Sequence, residues 1–400
     1  MNEFALPARW LLAGPLIAVG VLVVTALLGG EAFSRWLHLP RIVGYAATGI
    51  ALGAIGIVPP ELRDELRLAI DFCMGAVLFE LGARIDLGWL RRAPWLAALA
   101  IGESALAGVT LYWVLSALVD LPPAFAAVGA ALGVSTSPAV ALRVAQDIRA
   151  QGQVTERLLM LSATSTAVTV LALAMLLPTL ATAQSPLAAS VAWAGATAVA
   201  LALALAAGLA VLALLVFQAI GKRREAQLTA AFGAIALAAG LAAAAELSIP
   251  LVLFAFGIGV RAIDRRHRLM PLDFERAGQL VSVLLFALVG ASLELGTLAA
   301  FGFASVAFIL GRALAKGSAV IVFARATRQP LQKAALLALT LQPMSGLTVV
   351  LAQDAARAIP ALGATVVPVV LAAVIAFELL GPLCTQAGLR LAGEAEPLAA

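Results

Sequence analysis

Residues 128–144 read VGAALGVSTSPAVALRV and residues 338–352 read ALTLQPMSGLTVVLA. Each is an apolar, helix-forming run interrupted at its middle. Ser135, Thr136, Ser137 and Pro138 break the first, and Gln342, Pro343, Ser345 and Gly346 break the second at a comparable depth. Proline removes a backbone donor and clashes with the preceding turn. In a bilayer the freed groups must face protein or a wet cavity. Two interrupted helices in corresponding positions of two halves predict inverted repeats whose broken helices cross, with a transport site at the crossing. A pair of ordinary proline kinks is the alternative.

The rest of the chain fits a membrane setting. Of 400 residues, 63% are hydrophobic and 12% are charged, whereas soluble domains run near 45–50% and about 25%. The mean hydropathy is +1.04. This composition predicts an all-α polytopic membrane protein and excludes disorder and a disulfide scaffold. The net charge of +4 is small and one-sided, so no nucleic-acid partner is expected. Cys73 and Cys384 lie in apolar segments near opposite ends of the chain, and His38 and His267 have no partners at metal-ligand spacing. No cofactor or resident metal is expected, and without a nucleophile–base pair or a cofactor loop neither is an enzyme.

A crossing takes about 20 mainly apolar residues. About thirteen candidates run roughly over 10–28, 42–57, 68–83, 94–118, 122–142, 158–180, 187–219, 227–245, 250–260, 277–293, 298–324, 334–353 and 361–389. The run 250–260 is short, and 187–219 is long enough to be tilted or broken near Gly208. The first run is read as a retained span, a cleaved signal being the alternative. With the N-terminus outside, 20 of the 26 Lys and Arg fall on inner connectors and the C-terminal tail, and 4 fall on the outer side. That asymmetry predicts N-out, C-in topology in a plasma (inner) membrane. Residues 1–393 form one transmembrane domain, followed by a short cytoplasmic tail at 394–400.

The remaining two basic residues, Arg312 and Lys316, lie inside the eleventh span and share a helix face. A charge at that depth costs about 3 kcal/mol, so it marks a functional candidate. Snorkelling to the interface is the alternative, but Arg325 already marks that end, and Lys316 lies roughly 13 Å deeper. In the sixth span Thr164, Ser165 and Thr166 belong to a run rich in hydroxyls, suited either to a site or to close helix packing. Among carboxylates, Glu80 lies near a span end, while Glu103 stands about nine residues into the fourth span. A proton and a cation competing for one buried carboxylate is the simplest coupling device.

These segments resemble a family. LPRIVGYAATGIALG is similar to the second-span signature of the monovalent cation:proton antiporter superfamily, and LAIDFCMGAVLFELGARIDL to its third span, with Glu80 and Asp86 in acidic places. VSTSPAVALRVAQD resembles its unwound crossing helix. AELSIPLVLFAFGIGV, LLFALVGASLEL and RATRQPLQKAALLALTLQPMSGLTVVLA are similar to later segments, over about 36–390. The match is closest to the branch of bacterial sodium/proton antiporters and glutathione-gated potassium efflux proteins. The resemblance implies a core of spans 4–6 and 11–13 (about 94–180 and 298–389). It implies a scaffold of spans 1–3 and 8–10 (about 10–83 and 227–293), a linker span at 187–219, and a homodimer.

It also exposes a departure. The family carries an ion-binding aspartate in its sixth span, often paired with a basic residue in the eleventh. Lys316 matches the basic position, but Thr164 or a neighbour, Ala163 or Ser165, stands where the aspartate belongs. An acid usual after the break in the twelfth span is replaced by Ser345-Gly346-Leu347. The expected function is exchange of Na+ or K+ for H+ by alternating access. Glu103 and Lys316 would form the exchangeable pair, Arg312 would be nearby, and Thr164, Ser165, Ser137 and backbone carbonyls at the breaks would complete the site. The alternatives are ion-coupled transport of an organic anion, bound by Lys316 and Arg312, and a transport-inactive sensor or partner subunit.

Overall fold

The computed structural model describes residues 15–37, 41–56, 67–85, 94–182, 188–221, 223–264, 283–284, 286–288, 290–291, 302–324, 329–344 and 346–396. The described residues are helical throughout apart from connectors, as the bilayer requires of any spanning chain that does not close into a barrel. In chain order the helices are α1 (Pro15–Trp36), α2 (Arg41–Ala54), α3 (Arg67–Arg84), α4 (Pro94–Trp113), α5 (Pro123–Val134), α6 (Pro138–Asp147) and α7 (Gln153–Thr182). They continue as α8 (Ala188–Ile220), α9 (Arg224–Ala244), α10 (Ile249–Ile263), α11 (Gly302–Ala324), α12 (Leu331–Thr340), α13 (Gly346–Ala358) and α14 (Pro360–Leu391). A five-residue π-helical turn, Val114–Leu118, extends α4.

Among the described residues, eight helical segments are long and apolar enough to cross a membrane, the α5–α6 pair counting as one. Several others, such as α2 and α10 at 14 and 15 residues, are shorter than a full crossing, so length alone does not establish thirteen. The tenth candidate, 277–293, falls largely outside the described residues. Of the two readings of the long seventh run, tilted or broken near Gly208, the break is absent: α8 runs unbroken for 33 residues. With no water competing for its backbone groups, a lone glycine among Ala and Leu does not interrupt a helix in lipid.

Both expected interruptions are present. α5 stops at Val134, Ser135 and Ser137 are extended, and α6 starts at Pro138. The residue before a proline is pushed out of the α region, and proline at a first helical position loses no hydrogen bond. The Ser137 hydroxyl accepts from Val140 N at 3.3 Å and caps α6. In the second half α12 ends at Thr340, Gln342–Met344 are non-helical, and α13 begins at Gly346.

Packing sorts the helices. α4 packs on α5 and α11, α7 on α4 and α5, and α14 on α11, α12 and α13. Elsewhere α1 packs on α2, and α3 on α10. α8 touches both groups, through α7 on one side and α10 on the other. The α3–α10 contact is backbone to backbone. A methyl on Gly257 would lie 2.1 Å from Phe79 O, and one on Gly82 would lie 2.2 Å from Phe254 O, so no larger residue fits either place.

The first residues of the segment expected as a tail, 394–396, are held against the start of α7 and the turn before it. Glu394 accepts hydrogen bonds from Val154 N at 2.9 Å, Thr155 N at 2.8 Å and the Thr155 hydroxyl at 2.9 Å. Its carbonyl accepts from Gln151 N at 2.8 Å. A carboxylate from the far end of the chain thus satisfies the orphan donors at the start of α7. Arg149 pairs with Glu396 at 3.2 Å alongside.

Candidate functional site at the helix crossing

The carboxyl ends of α5 and α12 converge, and each carries about half a negative charge from its helix dipole. Arg312, on α11 and fully buried, fills the gap. Its Nε donates to Gly133 O at 2.9 Å, Nη1 to Gln342 O at 2.8 Å, and Nη2 to Ser135 O at 2.7 Å and Pro343 O at 3.4 Å. The guanidinium carbon lies 4.6 Å from the Phe377 ring centroid, a cation–π contact. A planar fork with five donors is the side chain able to serve several carbonyls at once. Arg312 therefore braces the crossing and does not snorkel. The carbonyls expected to serve an ion already accept from it.

Hydroxyls and amides complete the brace. Ser137 N donates to Pro343 O at 3.0 Å, the Thr136 hydroxyl to Leu341 O at 3.2 Å, and the Ser135 and Thr348 hydroxyls meet at 2.8 Å. From α7, Ser165 Oγ accepts from Thr136 N at 3.1 Å, and the Thr166 hydroxyl donates to Thr136 O at 3.0 Å. Thr169 donates to Ala131 O at 2.9 Å, and Thr385 on α14 donates to Thr340 O at 3.0 Å. Thr164 stands apart: it is only half-buried, and its hydroxyl bonds back to Met160 O at 2.9 Å. Ser345 lies outside the described residues. Glu80 is half-buried on α3, which packs chiefly on α10.

One turn from Arg312 on the same face of α11, Lys316 Nζ lies 2.8 Å from Glu103 Oε1, and both side chains are 0% exposed. The second carboxylate oxygen accepts from Ser104 at 3.3 Å. An ammonium has three donors, and among the described residues Lys316 has Glu103 as its partner. Gln342, at the break before α13, has an open acceptor: its amide nitrogen is held by Ala338 O at 2.9 Å, while its buried side-chain oxygen accepts nothing among the described residues. The structure thus brings Glu103, Lys316 and Arg312 into one buried group. The charges balance if Arg312 answers the two helix ends and Lys316 answers Glu103.

Several contributors escaped sequence reading. Thr348 and Thr385 carry an unremarkable hydroxyl each, and Phe377 is one of 16 phenylalanines. Ser104 stood beside Glu103 and was the one legible in retrospect.

The sequence model of the family described as "Sodium/hydrogen exchanger, transmembrane" matches residues 22–388. The chain belongs to the sodium/hydrogen exchanger family. No curated protein sequence matches it. Among solved structures, the exchanger is similar to the sodium proton antiporter MjNhaP1 from Methanocaldococcus jannaschii at pH 8. The TM-score is 0.66 at 18% identity, over 94% of this chain and 96% of that one. A second structure of MjNhaP1, from electron microscopy, matches with a TM-score of 0.69 at 17% identity, over 96% and 99% of the two chains. At this identity the likeness establishes a shared fold. The exchanger is thus a multi-pass membrane protein built on the antiporter fold, in a family of transporters rather than enzymes.

Proposed function

We propose that this exchanger moves a monovalent cation, Na+ or K+, against H+ by alternating access, with Glu103 as the exchanged carboxylate and Lys316 as the proton carrier. The observation that carries the reading is the buried 2.8 Å pair with unused ammonium donors. In one state Glu103 holds protonated Lys316. A dehydrated cation entering the site takes Glu103, Lys316 loses its counter-ion and its proton leaves. One positive charge replaces another, so the site keeps its net charge and the exchange is electroneutral. Gln342 Oε1, buried and accepting no hydrogen bond among the described residues, is an oxygen suited to a hard cation.

Arg312 holds the crossing rigid throughout, so the site travels as a unit. The moving unit comprises α4–α7 and α11–α14, and the scaffold comprises α1–α3, α9 and α10 with the span at 277–293. α8 links the two. A homodimer in the plasma membrane, N-terminus outside and C-terminus cytoplasmic, follows from the Lys/Arg asymmetry and the family likeness. An anion site is disfavoured, because the donors of Arg312 go to carbonyls and Lys316 goes to Glu103.

The test is proton flux in liposomes holding the purified exchanger, with an imposed pH gradient challenged by sodium, lithium or potassium salts. Collapse of the gradient by at least one of these cations supports exchange. Folded, inserted protein that answers none of them would leave the transport-inactive reading.

A further inference from the structure

A crevice of about 340 Å³ opens on the flank of the α4–α5–α7 group. Its floor is made of small residues, among them Gly108, Ala130 and Ala131, and its inner end is Ser104, the residue bonded to Glu103. Its mouth lies along Ala105 and Val109 on α4. These belong to a stripe of period four, Ile101, Ala105, Val109 and Trp113, all exposed, with Val109 at 55% and Trp113 at 63%. On α7, Leu171 and Met175 are likewise exposed at 41% each. In a membrane-spanning bundle, an outward stripe of this composition ending in tryptophan faces lipid, and the tryptophan marks the interface.

A space of this size is roughly twice the 150 Å³ cavity known to take up benzene. Its walls are mostly apolar and offer water few polar partners: the Thr169 hydroxyl is committed to Ala131 O and the Ser104 hydroxyl to Ala100 O and Glu103, which leaves Tyr112 as the remaining polar-tipped side chain in the lining. The medium at the mouth is hydrocarbon. We propose that the crevice takes one acyl chain of a bilayer phospholipid, entering between the exposed stripes of α4 and α7, with its head group at the Trp113 end and its tail end against Ser104. The chain seals the Glu103–Lys316 pair from water on this flank and is a resident part of the packing. The proposal rests on the membrane setting and the crevice geometry, and is independent of which ion is exchanged.

The experiment is photolabelling in liposomes doped with a phosphatidylcholine whose acyl chain carries a diazirine. Unlabelled phosphatidylcholine is the competitor, and peptide mapping the readout. Lipid that merely surrounds the protein labels exposed residues evenly, including Leu212 and Leu215 on α8, which are 46% and 58% exposed. A bound chain concentrates label on residues 104–112 and 168–176. Gly108→Leu fills the floor, where a new Cβ meets Val134 Cγ2 at 3.3 Å. Ala105→Trp covers the mouth from an exposed position and leaves the interior untouched. Either variant lowers the label on those two segments about tenfold without changing the label on α8. Label no denser there than on α8, or unchanged in the Ala105→Trp protein, overturns the proposal whether or not the exchanger transports.

Discussion

Lys316 and Glu103 meet at 2.8 Å with neither side chain exposed, although they lie more than two hundred residues apart on α11 and α4. Breaking such a pair from one side leaves an uncompensated charge, which costs about 3–5 kcal/mol, whereas removing both charges can be neutral or stabilising. Glu103→Gln and Lys316→Met should each lower thermal stability in detergent. The double variant should recover most of that loss. Additive losses would mean that the two residues do not act as a pair.

Arg312 serves a different purpose, and its replacement should read out differently. Arg312→Lys keeps the charge but cannot reach Gly133 O, Ser135 O and Gln342 O together. Losing two charge-assisted hydrogen bonds removes about 3 kcal/mol, visible as a lower unfolding temperature. Sodium or potassium at high concentration should not restore it, because the deficit lies in the brace and not in the exchange site.

The two interrupted helices are also joined by the Ser135–Thr348 hydroxyl contact at 2.8 Å. A double-mutant cycle with Ser135→Ala and Thr348→Val should give a coupling of about 1 kcal/mol. A coupling near zero would show that the crossing does not depend on this contact.

At the other end of the core, Glu394 caps α7 from the end of the chain. Glu394→Ala should cost about 1–2 kcal/mol, in the range of a lost helix cap. Glu394→Gln should recover part of it, since an amide oxygen accepts one of the three hydrogen bonds well. Limited proteolysis between residues 148 and 155 would report the loosened end directly.

How much of this was written in the sequence varies from residue to residue. Pro138 and Pro343 announce the breaks because proline acts locally, and Arg312, Lys316 and Glu103 stand out because charge is rare in a hydrocarbon setting. The partners of Arg312 were illegible, since every residue has a carbonyl and only the fold decides which four converge. Glu394 read as tail because nothing in a short polar stretch says which helix end it will meet. The exposed stripe on α4 shows a period of four, but the crevice behind it depends on how three helices of Ala and Gly fail to close. At Gly208 the sequence left a tilted or a broken helix open, because a breaker in water is tolerated in lipid.

The central claim is that a cation and protonated Lys316 compete for Glu103, and the most direct measurement is proton release from purified exchanger in weakly buffered detergent when sodium or potassium is added. Binding that needs a deprotonated site releases protons, so the account predicts release of about one proton per chain, half-saturating at higher cation concentration as pH falls, and abolished in Glu103→Gln. Undiminished release from folded Glu103→Gln protein would contradict it and place the exchange at another group.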